Sequence, residues 1–141
     1  MVTFQEAENY LKKLERDLSR IKNKTAELQI LQKTGWNTST GFNAPAVQSS
    51  GNSDPVFNTC TYISKLEEEI EELKKQYILD VQERKELFER VEKTLHYDIL
   101  YGHYILFKSL AEIAREQSYS EEWVRKSHRK AIEEVQKLLN S

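Results

Sequence analysis

The chain is short of the residues that staple, bend or span. It has one cysteine, Cys60, so no disulfide can close within it. Flanked by Thr59 and Thr61 with no base close by in sequence, Cys60 reads as a reduced thiol at a helix start rather than as a nucleophile. Two prolines and four glycines in 141 residues leave too little turn chemistry for a many-stranded sheet. No run is apolar enough for a membrane span or a secretory leader, so the expectation is a cytoplasmic protein with no membrane partner. An excess of one charge is also missing. Lys and Arg number 21 against 23 Asp and Glu, which excludes a globally basic nucleic-acid coat and leaves any affinity for polyanions to a local patch. What the chain does have is charge of both signs, 31% of its residues, interleaved with apolar residues at helical spacing, and this predicts an all-α protein.

Four segments follow from that spacing. Over 1–33, Phe4, Ala7, Leu11, Leu14, Leu18, Ile21, Thr25 and Leu28 form a heptad seam on an otherwise polar helix. Residues 34–59 hold both prolines and three of the four glycines, show no period, and predict a long flexible loop with Trp36, Phe42, Val47 and Phe57 scattered through it. Over 60–93 a second seam returns through Ile63, Leu66, Ile70, Leu73, Tyr77, Val81, Leu87 and Val91, with Thr61 or Ser64 as its cap and Glu71–Lys75, Glu86–Arg90 and Glu89–Lys93 as i, i+4 ion pairs. Residues 1–33 carry 7 bases against 5 acids, and residues 60–96 carry 7 against 10. Two long helices of opposite sign predict an antiparallel coiled-coil hairpin, in which the apolar seams supply most of the stability and the charge difference little. The same seams serve equally for a homodimer. The fourth segment, 94–141, opens on an apolar stretch through Leu95, Ile99, Leu100, Ile105 and Leu106, read as a support helix with Gly102 within it.

Catalytic chemistry is not visible. There is no glycine loop to cradle a phosphate, and His96, His103 and His128 lack metal-ligand spacing with Cys or carboxylate. They read as histidines of partly buried helical interfaces. The expectation is a protein that is not an enzyme and needs no metal or other cofactor.

The most informative stretch is SLAEIAREQSYSEEWVRKSHRKA, residues 109–131. Ser109 with Glu112 forms a capping box, and Leu110, Ile113 and Ala114 share one face. Ser118-Tyr119-Ser120 interrupts the helix, and Ser120 caps a second one, with Glu121 and Glu122 at its positive end. There Val124, Ala131, Ile132, Val135 and Leu138 point inward, while Arg125, Lys126, Arg129 and Lys130 point out. A helix that enters a DNA groove needs this division, since its apolar side anchors it and its cations reach bases and phosphates. The predicted architecture is therefore a coiled-coil hairpin followed by a C-terminal helix-turn-helix domain.

These residues resemble the helix-turn-helix of region 4 of the sigma-70 factors. Ser109, Leu110, Glu112, Ile113 and Ala114 match its first part, Ser120, Val124 and Arg125 its middle, and Lys130, Ala131 and Ile132 its end. Ser118 replaces the usual turn glycine, Gln117 a leucine, and Ser127 a buried aliphatic residue. The whole layout looks like the small phage regulators of the ArpU/RinA type. That resemblance implies a phage or prophage transcription regulator in a bacterial cytoplasm, with double-stranded DNA as its partner and host RNA polymerase as a second. It puts Glu122, Arg125 and Lys126 at base edges, and Ser109, Ser120, Arg129 and Lys130 on phosphates. The rival reading is a helical protein-interaction adaptor that uses the coiled coil and the loop and binds no DNA.

Overall fold

Thr3 opens the first helix with a reciprocal cap. Its hydroxyl accepts from the Glu6 N–H at 3.1 Å, and the Glu6 carboxylate accepts from the Thr3 N–H at 2.9 Å. Those two bonds hold the Glu6 carboxyl below its ordinary pKa. The helix that follows, α1, runs Phe4–Lys33, and α2 runs Pro55–Glu89. Beyond a break, α3 covers Thr94–Leu100 and passes directly into a π-helical turn, Tyr101–Ile105. Two further helices, α4 (Leu110–Gln117) and α5 (Glu121–Asn140), complete the chain. The computed structural model describes residues 1–34 and 55–141, and among these every regular element is helical and none is a strand. No helix among the described residues is long and apolar enough to cross a membrane.

The expected second helix is displaced at both ends. It begins at Pro55 rather than at residue 60, because a proline lacks only the N–H that a first helical residue leaves unbonded anyway. Thr61 and Ser64 consequently lie inside α2 and do not cap it. Of the loop expected over 34–59, residues 35–54, with Trp36, Phe42 and Val47, lie outside the described residues. At the other end α2 stops at Glu89. The Glu134 carboxylate accepts from the Glu92 backbone N–H at 2.9 Å, which gives that donor a partner outside any helix. The ion pairs expected on this helix change accordingly: Glu71 meets Lys74 at 3.5 Å instead of Lys75, and Glu86–Arg90 and Glu89–Lys93 do not form. The Glu89 carboxylate instead raises the pKa of Tyr97.

The chain divides into two compact units, Met1–Asp17 with Tyr77–Ser141, and Leu18–Gln76. In the first, Ala7 and Leu11 of α1, Leu87 and Phe88 of α2, Leu100 of α3, and Ala131, Ile132 and Val135 of α5 bury one another. Each of the larger side chains contributes about 1.5–3 kcal/mol, and the two alanines less. A second cluster joins Ile99, Ile113, Ala114 and Val124, flanked by Leu95 and Leu110. Across α1 and α2 of this unit, the Tyr10 hydroxyl donates to Glu83 at 2.5 Å and Lys13 bridges Asp80 at 2.9 Å. Arg84 falls on the apolar seam at a position the periodicity did not mark. Its guanidinium is 3% exposed, lies 3.6 Å from the Tyr10 ring centroid, donates to the Tyr10 carbonyl at 2.9 Å, and pairs with Glu83 at 2.9 Å.

The second unit buries Ile21 of α1 and Leu66 and Ile70 of α2. Lys24 bridges Glu69 at 3.1 Å, Gln32 donates to Glu67 at 3.4 Å, and the Tyr62 hydroxyl donates to Glu27.

Candidate nucleic-acid interface

The α4–turn–α5 segment is built from two serine caps and one left-handed residue. Ser109 is extended, and its hydroxyl accepts from the Glu112 N–H at 3.0 Å, which starts α4. Ser120 repeats the device for α5, accepting from the Trp123 N–H at 3.1 Å. Between them Ser118 has φ 61° and ψ 38°, the conformation a glycine adopts most easily. The Tyr119 N–H donates to the Ala114 carbonyl at 3.0 Å and the Ser118 N–H to the Arg115 carbonyl at 3.4 Å, the two bonds of a Schellman closure.

The support beneath α4 is the π-helical turn. Gly102 sits close against α4 there: a Cβ on it would stand 3.2 Å from Ile113 Cδ1, so that side-chain end would have to shift by a few tenths of an ångström. The chain then reverses through Phe107, whose φ of 58° is uncommon for a bulky residue, and the Lys108 N–H donates back to the Gly102 carbonyl at 2.9 Å. Lys108 itself bridges Glu116 of α4 at 2.9 Å.

On α5, Val124, Ser127, Ala131, Ile132 and Val135 are buried. Ser127, where an aliphatic residue is usual, is buried with them. The expected base-reading residues all lie on the outward side. The side chains of Glu122, Arg125 and Lys126 are 80%, 64% and 67% exposed. Both cations are already paired, Arg125 with Glu121 at 2.5 Å and Lys126 with Glu122 at 3.4 Å. Arg129 is exposed, but its guanidinium lies 4.9 Å from the Phe4 ring centroid, so part of its cation faces the N-terminal segment. Lys130 is exposed on the side of the helix that faces the α2–α3 break. Glu122, Arg125, Lys126 and Arg129 therefore share the outward side, and Lys130 stands at its edge. The hydroxyls of Ser109 and Ser120 are committed to caps, and a phosphate there would meet α4 and α5 at their first turns. Tyr119 and Trp123, four apart, are each 47% exposed beside these residues.

The histidines are internal. His96 is buried and donates from Nδ1–H to Glu134 at 2.9 Å, which together with the Glu92 N–H lowers the Glu134 pKa against the opposing effect of burial. His103 donates from Nδ1–H to the Lys108 carbonyl at 2.8 Å. His128 Nε2 lies 2.7 Å from the Tyr104 hydroxyl, and the His103 ring stands edge-on to both. Burial, with help from His103 and Lys12 and against Glu8, pushes the His128 pKa down to about 4, and burial raises that of Tyr104. The imidazole is thus neutral and its Nε2 accepts from the hydroxyl. No three His, Cys, Asp or Glu residues are grouped to hold a metal among the described residues. Cys60 is exposed.

Sequence reasoning missed the His103–Tyr104–His128 cluster, because its members come from two elements whose packing no local spacing encodes. It also missed that Arg90, Lys93 and Lys137 converge with Lys130. Comparison of the chain with protein-family models, with curated proteins and with solved structures finds no match.

Proposed function

We propose that this protein is a sequence-specific double-stranded DNA-binding regulator of transcription. In this reading α4 and α5 form a helix-turn-helix, and α1 with α2 forms an antiparallel coiled-coil arm. One observation carries it: the division of α5 into a buried apolar side and an outward side where Glu122, Arg125 and Lys126 project. Arg125 and Lys126 have the donors to read guanine O6 and N7, and Glu122 can accept from cytosine N4. Arg129, Lys130 and the capped starts at Ser109 and Ser120 are the phosphate contacts. The resemblance to phage regulators extends the reading to phage gene expression and to host RNA polymerase as a partner, and a homodimer built on the seams of the long helices would supply a second reading head.

Selection of bound fragments from a random duplex pool tests this, followed by titration of the selected site with wild type and with Arg125→Ala/Lys126→Ala. The double variant should lose the selected site and keep its helical circular dichroism. Retained affinity would show that another face reads the DNA.

Two observations favour a second reading, a protein-interaction adaptor. Both reading cations are neutralised by their own helix, and Tyr119 and Trp123 expose aromatic surface beside them. Salt separates the two readings. Binding to duplex DNA weakens steeply as salt rises because counterions are released, whereas an aromatic protein contact is nearly indifferent to it.

A further inference from the structure

The break between α2 and α3 changes the company of two cations. Had α2 continued through Lys93, Glu86 and Glu89 would have stood one turn before Arg90 and Lys93 and paired with them. The helix ends at Glu89, whose carboxylate acts on Tyr97 instead. Arg90 and Lys93 turn with the chain toward α5, where Lys130 and Lys137 meet them around an open cleft of about 460 Å³. None of these four cations makes an ion pair among the described residues, whereas Arg125, Lys126 and Lys108 each hold a carboxylate. Three carboxylates share the cleft: Glu92, Glu133 and Glu134. Glu134 is engaged by the protein's own donors, His96 Nδ1–H and the Glu92 N–H, each at 2.9 Å. Glu92 and Glu133 are exposed and free to turn away. The four cations outnumber the three carboxylates by one, and none of the four is held in an ion pair among the described residues, although Lys93 acts on the Glu134 carboxylate from a distance.

We propose that this cleft grips the phosphate backbone of a nucleic-acid duplex beside the groove that α5 enters; the inference rests on the DNA-binding reading above. Lys126, Lys130 and Lys137 stand at i, i+4 and i+11, along one side of α5. At 1.5 Å per residue the stripe is about 16 Å long, longer than the ~12 Å width of the major groove. With the start of α5 in the groove, its far cations and those of the α2–α3 break lie over the flanking strand. A membrane surface fits less well, since the one apolar residue that lines the cleft, Leu138, is half-buried and offers nothing to insert.

The test is a salt titration on full-length protein with a mixed-sequence duplex and with the selected site. Lys93→Ala/Lys137→Ala should lower the slope of log K against log salt by about 2 and weaken both duplexes to the same degree, since phosphate contacts carry no sequence. Glu133→Lys should do the reverse and raise the slope by about 1. Arg125→Ala/Lys126→Ala should instead remove the preference between the duplexes. Unchanged slopes in both cleft variants, with wild-type helical content, would overturn the cleft while leaving the reading helix standing. A wild-type protein that binds neither duplex at low salt would overturn both. Cleft variants that lose binding to phosphatidylserine vesicles but not to duplex would assign the site to a membrane and overturn it for DNA.

Discussion

Replacing Ser118 by glycine should stabilise the protein, although it deletes a side chain. Ser118 holds φ 61° and ψ 38°, where the Cβ of an L-residue crowds the following carbonyl. That crowding costs about 1–2 kcal/mol. Glycine removes it but brings more freedom to the unfolded chain, a penalty of about 0.5–1 kcal/mol. Nothing else is lost, because Ser118 is exposed and both bonds of the closure come from backbone N–H groups. The net gain for Ser118→Gly is then about 0–1.5 kcal/mol, centred on about 0.8 kcal/mol, or a few degrees in Tm. Ser118→Ala keeps the Cβ and should stay within about 0.5 kcal/mol of wild type. Ser118→Val adds a β-branch at positive φ and should be the least stable of the three. Urea melts followed by circular dichroism rank the series. Equal gains for Gly and Ala would show that the hydroxyl rather than the Cβ carries the cost, and a loss for Gly would refute the strain reasoning outright.

Other outcomes follow from single contacts. Ser120→Ala should cost about 1 kcal/mol through loss of the α5 cap, while Ser120→Asp should retain stability and weaken duplex binding, as read by melts and anisotropy in parallel. Because the folded His128 pKa sits near 4 and the ordinary value is 6.5, the unfolded chain alone takes up that proton between the two. Stability should therefore be flat above pH 6.5 and fall as pH drops toward 4, by less than about 3 kcal/mol given the partly exposed ring. His128→Gln should flatten that part of the stability–pH curve, and an unaltered slope would place the titration elsewhere. Arg84→Ala should cost about 2–3 kcal/mol because the guanidinium and its stem cover the Tyr10 ring, and Arg84→Met should recover much of it in the same melts.

The sequence made the helical elements legible wherever local chemistry decides them. Ser109 and Ser120 announced both C-terminal helices, and the inward stripe of α5 through Val124, Ala131, Ile132 and Val135 is the buried one. Ser118 was marked as standing in the place of a glycine, and the backbone there does have positive φ. Signals with two meanings misled. Pro55 was counted with the loop but starts a helix, and Thr61 and Ser64 resembled caps but lie within α2. The break after Glu89 has no glycine or proline to announce it, and the group that accepts from its Glu92 N–H is the carboxylate of Glu134, remote in sequence. The ion pairs expected across that break failed for the same reason. Arg84 was invisible because a cation on a heptad seam normally interrupts it, and here the Tyr10 ring and carbonyl accommodate it.

The ion pairs on α5 bear on how recognition would divide between affinity and specificity. Arg125–Glu121 and Lys126–Glu122 are exposed pairs, and such pairs are worth no more than about 1 kcal/mol each, so a duplex can break them cheaply. In the DNA-binding reading, Glu121 and Glu122 would then stand near phosphates and oppose binding. The first two turns of α5 are therefore poor at generic attraction and better suited to discrimination, since a carboxylate that must find a cytosine N4 penalises every other base. A helix of this kind needs its attraction supplied from outside the reading residues. Over 97–141 the acids and bases balance at 7 each, so that segment has no surplus to give. The surplus must come from cations that other elements bring to it, and Arg90 and Lys93, freed by the end of α2, are the ones the fold delivers. If Arg90→Ala/Lys93→Ala lowers affinity for all duplexes alike while Glu122→Ala raises affinity and blurs preference, attraction and discrimination reside on separate elements. If both changes alter preference equally, the two tasks are not divided and the α5 carboxylates need another explanation.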